Sequence, residues 1–171
     1  DFAQADLKAG MLQAAEANVF NPVLEKVRTV EWDGVKRVET VFIDFLGCID
    51  NAYHREAAYV WFLAGITRLY EPGHRFDLVP ILVGKQGGGK SGFIEALGLG
   101  FAGLLAGDFG HTQKMIESIR GKWVLEVPEL KGFHRGLIED IKQWFVTTTD
   151  TIRLAYRENE EDFPRRCVFM G

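Results

Sequence analysis

Three features of the sequence predict an α/β fold with a mainly parallel sheet. Continuous apolar runs recur in the second half of the chain, at LVPILVG (78–84), WVLEV (123–127) and CVFMG (167–171), each suited to a strand buried on both faces. Segments of helical composition lie between them, and a glycine-rich loop joins the first run to a helix start. Strands alternating with helices return the chain to the same end of a sheet each time, which builds parallel pairs.

From the N-terminus, DLKAGMLQAAEA (6–17) is rich in helix formers and broken only by Gly10. In NPVLEKVR, Asn21 is placed to cap a helix with Pro22 at its first position. Asp33-Gly34 marks a turn. VETVFIDFLG (38–47) reads as a short amphipathic helix closed by Gly47. Asn51 then caps AYHREAAYVWFLAGITRLY (52–70), where Tyr59, Phe62, Leu63, Ile66 and Leu69 recur at helical spacing and are expected to face a core. EPGHRFD is a loop. Residues 1–75 are therefore expected to form an N-terminal helical module, and 76–171 the α/β core. In that core, KSGFIEALG and HTQKMIESIRG are helices and KWVLEVPEL is a strand broken by Pro128. GLIEDIKQWFVTTT is a helix, TIRLAYRE a strand or hairpin arm with RENEED as its polar tip, and CVFMG the last strand.

The totals bound the function. A chain of 171 residues, 47% hydrophobic, suffices for one domain with a sizeable core. A net charge of −4 is unlike a strongly basic nucleic-acid binder, although a few focused arginines suffice for local binding. Cys48 and Cys167 form no pattern, which fits reduced thiols in a cytoplasmic protein. His54, His74, His111 and His134 are scattered without the spacing of a zinc site. No apolar run approaches the roughly 18 residues a membrane span needs, and no signal peptide is visible. The chain begins at Asp and stops at or just after a strand, so it reads as a fragment of a longer protein.

The chemistry sits in the loop. Gly84-Lys85-Gln86-Gly87-Gly88-Gly89-Lys90-Ser91, followed by Gly92, matches G-x-x-x-x-G-K-[ST], the Walker A pattern of P-loop proteins. Such a loop wraps a phosphate with inward-pointing backbone amides, and side chains would block that approach. A following helix adds free N–H groups and the positive end of its dipole. Lys90 is expected to reach the β- and γ-phosphates of ATP, and Ser91 to ligate Mg²⁺. Glu126, near the end of WVLEV, is expected in the magnesium or water shell, because a charge there is costly unless it faces a cation. Glu129 is the second acid and a candidate base, and the two roles are interchangeable on sequence. The spacing departs from the usual Asp or Asp-Glu pair. Arg153, Arg157, Arg165 and Arg166 are candidates to reach a γ-phosphate from a neighbouring subunit.

GKQGGGKS, GKWVLEVPEL and IKQWFVTTTDTIRLAYRENEEDFPRRCVFMG, in that order, resemble the virulence-associated protein E family. So do EWDGVKRVETVFIDFLG and YHREAAYVWFLAGITRLYEPGHRFD upstream, so the resemblance runs from about Asn21 onward. That family occurs in phages, phage satellites and genomic islands, and its ATPase domain is similar to superfamily 3 helicases of the AAA+ class. The resemblance implies a P-loop NTPase three-layer core and an ATP-driven role in replication. It implies single-stranded or forked DNA as partner, a homo-oligomeric hexameric ring, and a primase domain upstream or as a partner. It also implies a channel hairpin at TIRLAYRENEED, with Arg153 and Arg157 as DNA contacts and Arg165 and Arg166 as finger or phosphate-sensing groups. The family pattern continues to a sensor beyond CVFMG, so the core is expected to be C-terminally truncated here. Two other readings remain. A P-loop small-molecule kinase would transfer phosphate to a metabolite, and a non-catalytic nucleotide-binding module for assembly or regulation would bind without turnover.

Overall fold

The computed structural model describes residues 3–105, 112–127, 138–153 and 159–171. The chain divides into two compact units, Asp1–Glu31 and Trp32–Gly171.

The first unit holds α1 (Gln4–Ala17) and α2 (Pro22–Arg28). Asn21 caps α2 as its sequence predicts: its Oδ1 accepts from the amides of Val23 and Leu24 at 3.1 and 3.4 Å, and Pro22 opens the helix. The second unit opens on the Asp33-Gly34 turn, where Asp33 accepts from the Val35 amide and forms a two-pronged pair with Arg37. Helix α3 (Val41–Leu46) ends on Gly47 in the left-handed conformation, and Asn51 caps α4 (Ala52–Tyr70) through a bond from the His54 amide at 2.9 Å. Both of these helices belong to the same unit as the sheet.

The buried face of α4 differs from the stripe read in the sequence. Ala58, Trp61, Ala64, Gly65, Arg68 and Leu69 are buried, while Tyr59 and Leu63 are 44% and 51% exposed. Of the predicted stripe, only Leu69 is fully buried. Small residues win the contact because the helix lies close against the sheet. A Cβ at Gly65 would already be in van der Waals contact with Trp123 and Val168, at 3.6 Å. Two indoles fasten the helix down: Trp61 Nε1 donates to the Phe169 carbonyl at 2.9 Å, and Trp123 Nε1 to the Gly65 carbonyl at 3.0 Å.

The sheet is parallel, in the order β1 (Ala102–Leu104), β2 (Val124–Glu126), β5 (Val168–Met170). The sequence reading missed β1, whose three residues carry no alternation long enough to see. In register, Leu125 lies beside Phe169 and Val124 beside Val168. Leu125 and Phe169 join a core with Met115 and Ile119 of α6 (Thr112–Ile119) and Trp144 of α7 (Ile138–Val146). Val168, one residue along and so on the opposite face, meets α4 at Gly65. Helices therefore cover both faces, as the α/β prediction requires.

The run at 78–84 departs from expectation. It is not buried on both faces: Leu78, Ile81 and Val83 are 37%, 50% and 94% exposed. Gly171 donates to the Pro80 carbonyl at 2.9 Å and accepts from the Leu82 amide at 2.5 Å, the pattern of a parallel pair centred on Ile81. The segment thus lies beyond β5 and, among the described residues, has a sheet neighbour on that side only. Pro80 also removes a donor, which suits an edge.

Strands β3 (Thr149–Ile152) and β4 (Glu161–Pro164) form an antiparallel hairpin, with Thr149 opposite Pro164 and Ile152 opposite Glu161. Its arms start earlier and return sooner than the sequence suggested, because Glu161 and Asp162, assigned to the tip, lie in β4. The base is locked by a buried ion pair. Arg165 Nε and Nη2 each donate to Asp150 at 2.6 Å, and Nη1 donates to the Trp144 carbonyl. The guanidinium also stacks over the Trp144 ring at 4.1 Å.

Candidate functional site

The three consecutive glycines have separate backbone reasons. Gly87 and Gly89 hold φ of 76° and 79°, where a side chain is strained. At Gly88, a Cβ would stand 3.0 Å from the Lys85 carbonyl oxygen. The loop thereby turns tightly into α5 (Lys90–Leu97), whose N-terminus receives no side-chain cap among the described residues. That helix start keeps its leading amides and positive dipole end free of a side-chain acceptor, as an anion site requires.

Lys90 Nζ folds back on the loop, donating to the carbonyls of Gly84 and Lys85 at 3.0 and 2.8 Å. Ser91 Oγ donates to Glu126 Oε1 at 2.6 Å. This bond joins a residue of the loop helix to one at the end of β2, a strand separated from the 80–82 segment by β5. Helix α5 spans the intervening distance by lying against β1 and β2. A cleft of 800 Å³ opens here, lined by Gln86 to Gly92, Glu126 and Gly171 among others. One ammonium, one hydroxyl and one carboxylate converge beside a concave loop. A hydroxyl and a carboxylate in contact are hard oxygen donors of the kind magnesium takes, so the residues present fit that ion.

The other sequence candidates fall in different places. Arg165 is 2% exposed, and its guanidinium is committed to Asp150 and Trp144, so it is not presented to any neighbouring molecule. This corrects its assignment as a finger candidate: it ties the hairpin base to α7. Arg166, next in the chain, is exposed. Arg153 is exposed just past β3. Glu129 and Arg157 lie outside the described residues.

A model of the virulence-associated protein E-like domain matches residues 24–171. The chain belongs to that family. No curated protein matches the sequence. The glycine loop, Glu126 and the hairpin all lie inside the virulence-associated protein E-like domain. No helix among the described residues is long and apolar enough to cross a membrane.

Two further features of this domain escaped the sequence. The first is a second cleft of 610 Å³ that shares Gly84, Lys85, Gly88 and Lys90 with the loop and is walled by Phe42, Leu46, Cys48 and His54. Cys48 and His54 stand 36 and 30 residues ahead of Gly84 in the sequence, and no local pattern connects them to the loop. The second is a buried arginine on α4. Arg68, 1% exposed, donates to the carbonyls of Cys167 and His74 at 2.6 and 3.0 Å, and burial holds its pKa below the usual arginine value. Burial likewise pushes the Cys167 thiol up to about 11, against a smaller opposing effect of Arg165 and Arg68.

Proposed function

We propose that this domain is the ATP-hydrolysing motor of a DNA helicase or primase-helicase serving the replication of a phage or other mobile element. The observation that carries the reading is the contact of Ser91 with Glu126 at 2.6 Å at the foot of the glycine loop. A plain surface loop between a sheet edge and a helix has no need to set a hydroxyl against an acid from a non-adjacent strand. Membership of the virulence-associated protein E-like family, which links the chain to phages and genomic islands, gives the biological setting.

On this reading the fold is a P-loop NTPase three-layer core of the AAA+, superfamily 3 helicase type. The backbone amides of Gly87 to Ser91 cradle the phosphates. Lys90 exchanges its two carbonyl partners for phosphate oxygens, which stabilises charge that grows during phosphoryl transfer. Magnesium, when bound, neutralises the phosphate oxygens, and Ser91 and Glu126 are the residues that would hold it. Either Glu126 or Glu129 orients and deprotonates the attacking water. Arg166 is the exposed candidate for the neighbour's γ-phosphate, which calls for a homo-oligomeric ring, hexameric in the proposal. Arg153, exposed just past β3, and Arg157, four residues on in the sequence, serve as grips for single-stranded or forked DNA.

The test is phosphate release from Mg·ATP with and without single-stranded DNA, over a range of protein concentrations. DNA-stimulated turnover that rises faster than protein concentration is expected. Turnover indifferent to DNA, or phosphate passed to a metabolite, would refute the motor. Binding without turnover at any concentration would leave a nucleotide-binding module.

A further inference from the structure

The second cleft has the chemistry of a base pocket. It adjoins the glycine loop, sharing four of its residues, so a molecule whose phosphates lie in the loop can extend into it without a gap. Its walls are apolar side chains from three elements: Phe42 and Leu46 from α3, Ala57 from α4, and Val79 and Ile81 from the segment leading into the loop. Ile81 is 50% exposed and Leu78, also lining the cleft, 37% exposed. Apolar side chains left open beside a charged loop are the normal lining of a ligand cleft, which a flat aromatic ring would cover. The cleft is fastened to the loop helix from the other side, because the Phe42 ring meets Phe93 of α5 edge-on, with centroids 6.2 Å apart.

One polar side chain in this wall has a fixed sense. His54 Nδ1 lies 2.7 Å from the Ile49 carbonyl oxygen. A carbonyl can only accept, so Nδ1 carries the ring proton, and in the neutral imidazole Nε2 is then an acceptor. A base edge that meets Nε2 must therefore bring a donor. Adenine brings an amino group at its 6-position where guanine brings a carbonyl, and guanine's own donors, N1–H and the 2-amino group, lie farther along the edge, so the choice of base is made where the 6-position meets Nε2.

We propose that the cleft walled by Phe42, Leu46, Cys48, His54 and Ile81 is the purine subsite of the nucleotide site, and that His54 selects adenine over guanine through Nε2. The proposal rests on the reading of the glycine loop as the phosphate site of ATP and adds where the base sits and which side chain reads it.

The structure supplies its own reporter. The chain has two cysteines. Cys167 is 2% exposed with its thiol pKa pushed up to about 11, so it is inert in the folded protein. Cys48 is partly exposed and lines the cleft. Alkylation of the native protein with N-ethylmaleimide, followed by mass spectrometry, therefore reads occupancy of this cleft alone. ATP at ten times its Kd is expected to slow Cys48 alkylation about tenfold, in proportion to the free fraction. Inorganic tripolyphosphate is expected to bind by calorimetry in a Lys90-dependent way and leave Cys48 reactive. ATP is expected to bind more tightly than GTP, and His54→Phe to cut that preference about three- to tenfold, the worth of one hydrogen bond. The alkylation arm needs no variant, so it stands even where His54→Phe folds poorly. Lys90-dependent ATP binding with Cys48 alkylation unchanged would overturn the base pocket while leaving the phosphate site standing. Equal ATP and GTP affinities would overturn the role of His54. Failure of both ATP and tripolyphosphate to bind would remove the phosphate site and this proposal with it.

Discussion

At the scale of residues, Lys90, Ser91 and Glu126 already have partners that a ligand could replace. Ser91 and Glu126 satisfy one another, and Lys90 is held by two carbonyls. Binding therefore exchanges hydrogen bonds and leaves no charge stranded. Glu126→Gln is expected to keep ATP binding and lower turnover by about two to four orders of magnitude, the range for a lost general base or water-orienting acid, read by phosphate release beside calorimetry. A parallel loss of binding would make Glu126 structural. Arg165 invites the opposite experiment. Its pair with Asp150 is buried on both sides, so Arg165→Ala leaves a carboxylate uncompensated and is expected to cost about 3–5 kcal/mol in denaturant unfolding. Arg165→Lys is expected to recover little, because an ammonium cannot make the forked contact. Arg166→Ala, at an exposed position, is expected to leave stability unchanged. Cys167 gives a pH dependence with a definite sign. Its folded pKa lies above its ordinary value of 9.0, at about 11, so between those pH values the native state keeps a proton the unfolded state has lost. Stability contributed by this thiol is full below 9.0 and falls as pH rises to about 11, and Cys167→Ala should flatten that part of the stability profile.

At the scale of elements, what the sequence could say depended on how local the cause was. The Asn21 and Asn51 caps, the Gly47 stop and the glycine loop are set by neighbours within a few residues, and each stands where it was read. The face of α4 was misread because periodicity marks apolar residues, whereas the contact selects small ones. Ala58, Ala64 and Gly65 admit the sheet, and Trp61 and Trp123 reach across with their N–H groups. Gly65→Ala is thus expected to be nearly silent, since its Cβ would sit at ordinary contact distance. Gly65→Leu overfills the same space and is expected to cost about 1–3 kcal/mol in denaturant unfolding. The 78–84 run was misread for a related reason. A continuous apolar stretch signals two-sided burial only if both neighbours are present, and composition cannot count neighbours. Of the candidate site, Lys90, Ser91 and Glu126 could be named from the sequence because a motif and a costly charge announce themselves. Arg165 looked like an active-site arginine only because its carboxylate partner, Asp150, is 15 residues away on the other arm of the hairpin. Cys48 and His54 were invisible as site residues, since only the fold brings them beside the loop.

At the scale of the whole molecule, a net charge of −4 means that any grip on DNA has to be local, and the proposed motor would take it at the hairpin. DNA affinity is therefore expected to be weak and salt-sensitive, with Arg153→Ala reducing DNA stimulation of turnover while leaving basal turnover intact. An effect on basal turnover instead would place Arg153 at the nucleotide. All of these roles depend on the loop at 84–91 holding phosphate. That claim is tested most directly by the affinity for Mg·ATP of the native chain and of Lys90→Ala, measured by titration calorimetry. The account predicts saturable binding by the native chain and a loss of about one to two orders of magnitude in the variant, since a charge-assisted contact worth about 1.5–3 kcal/mol is removed from a preformed anion site. Equal affinities, or no binding by either protein, would contradict it.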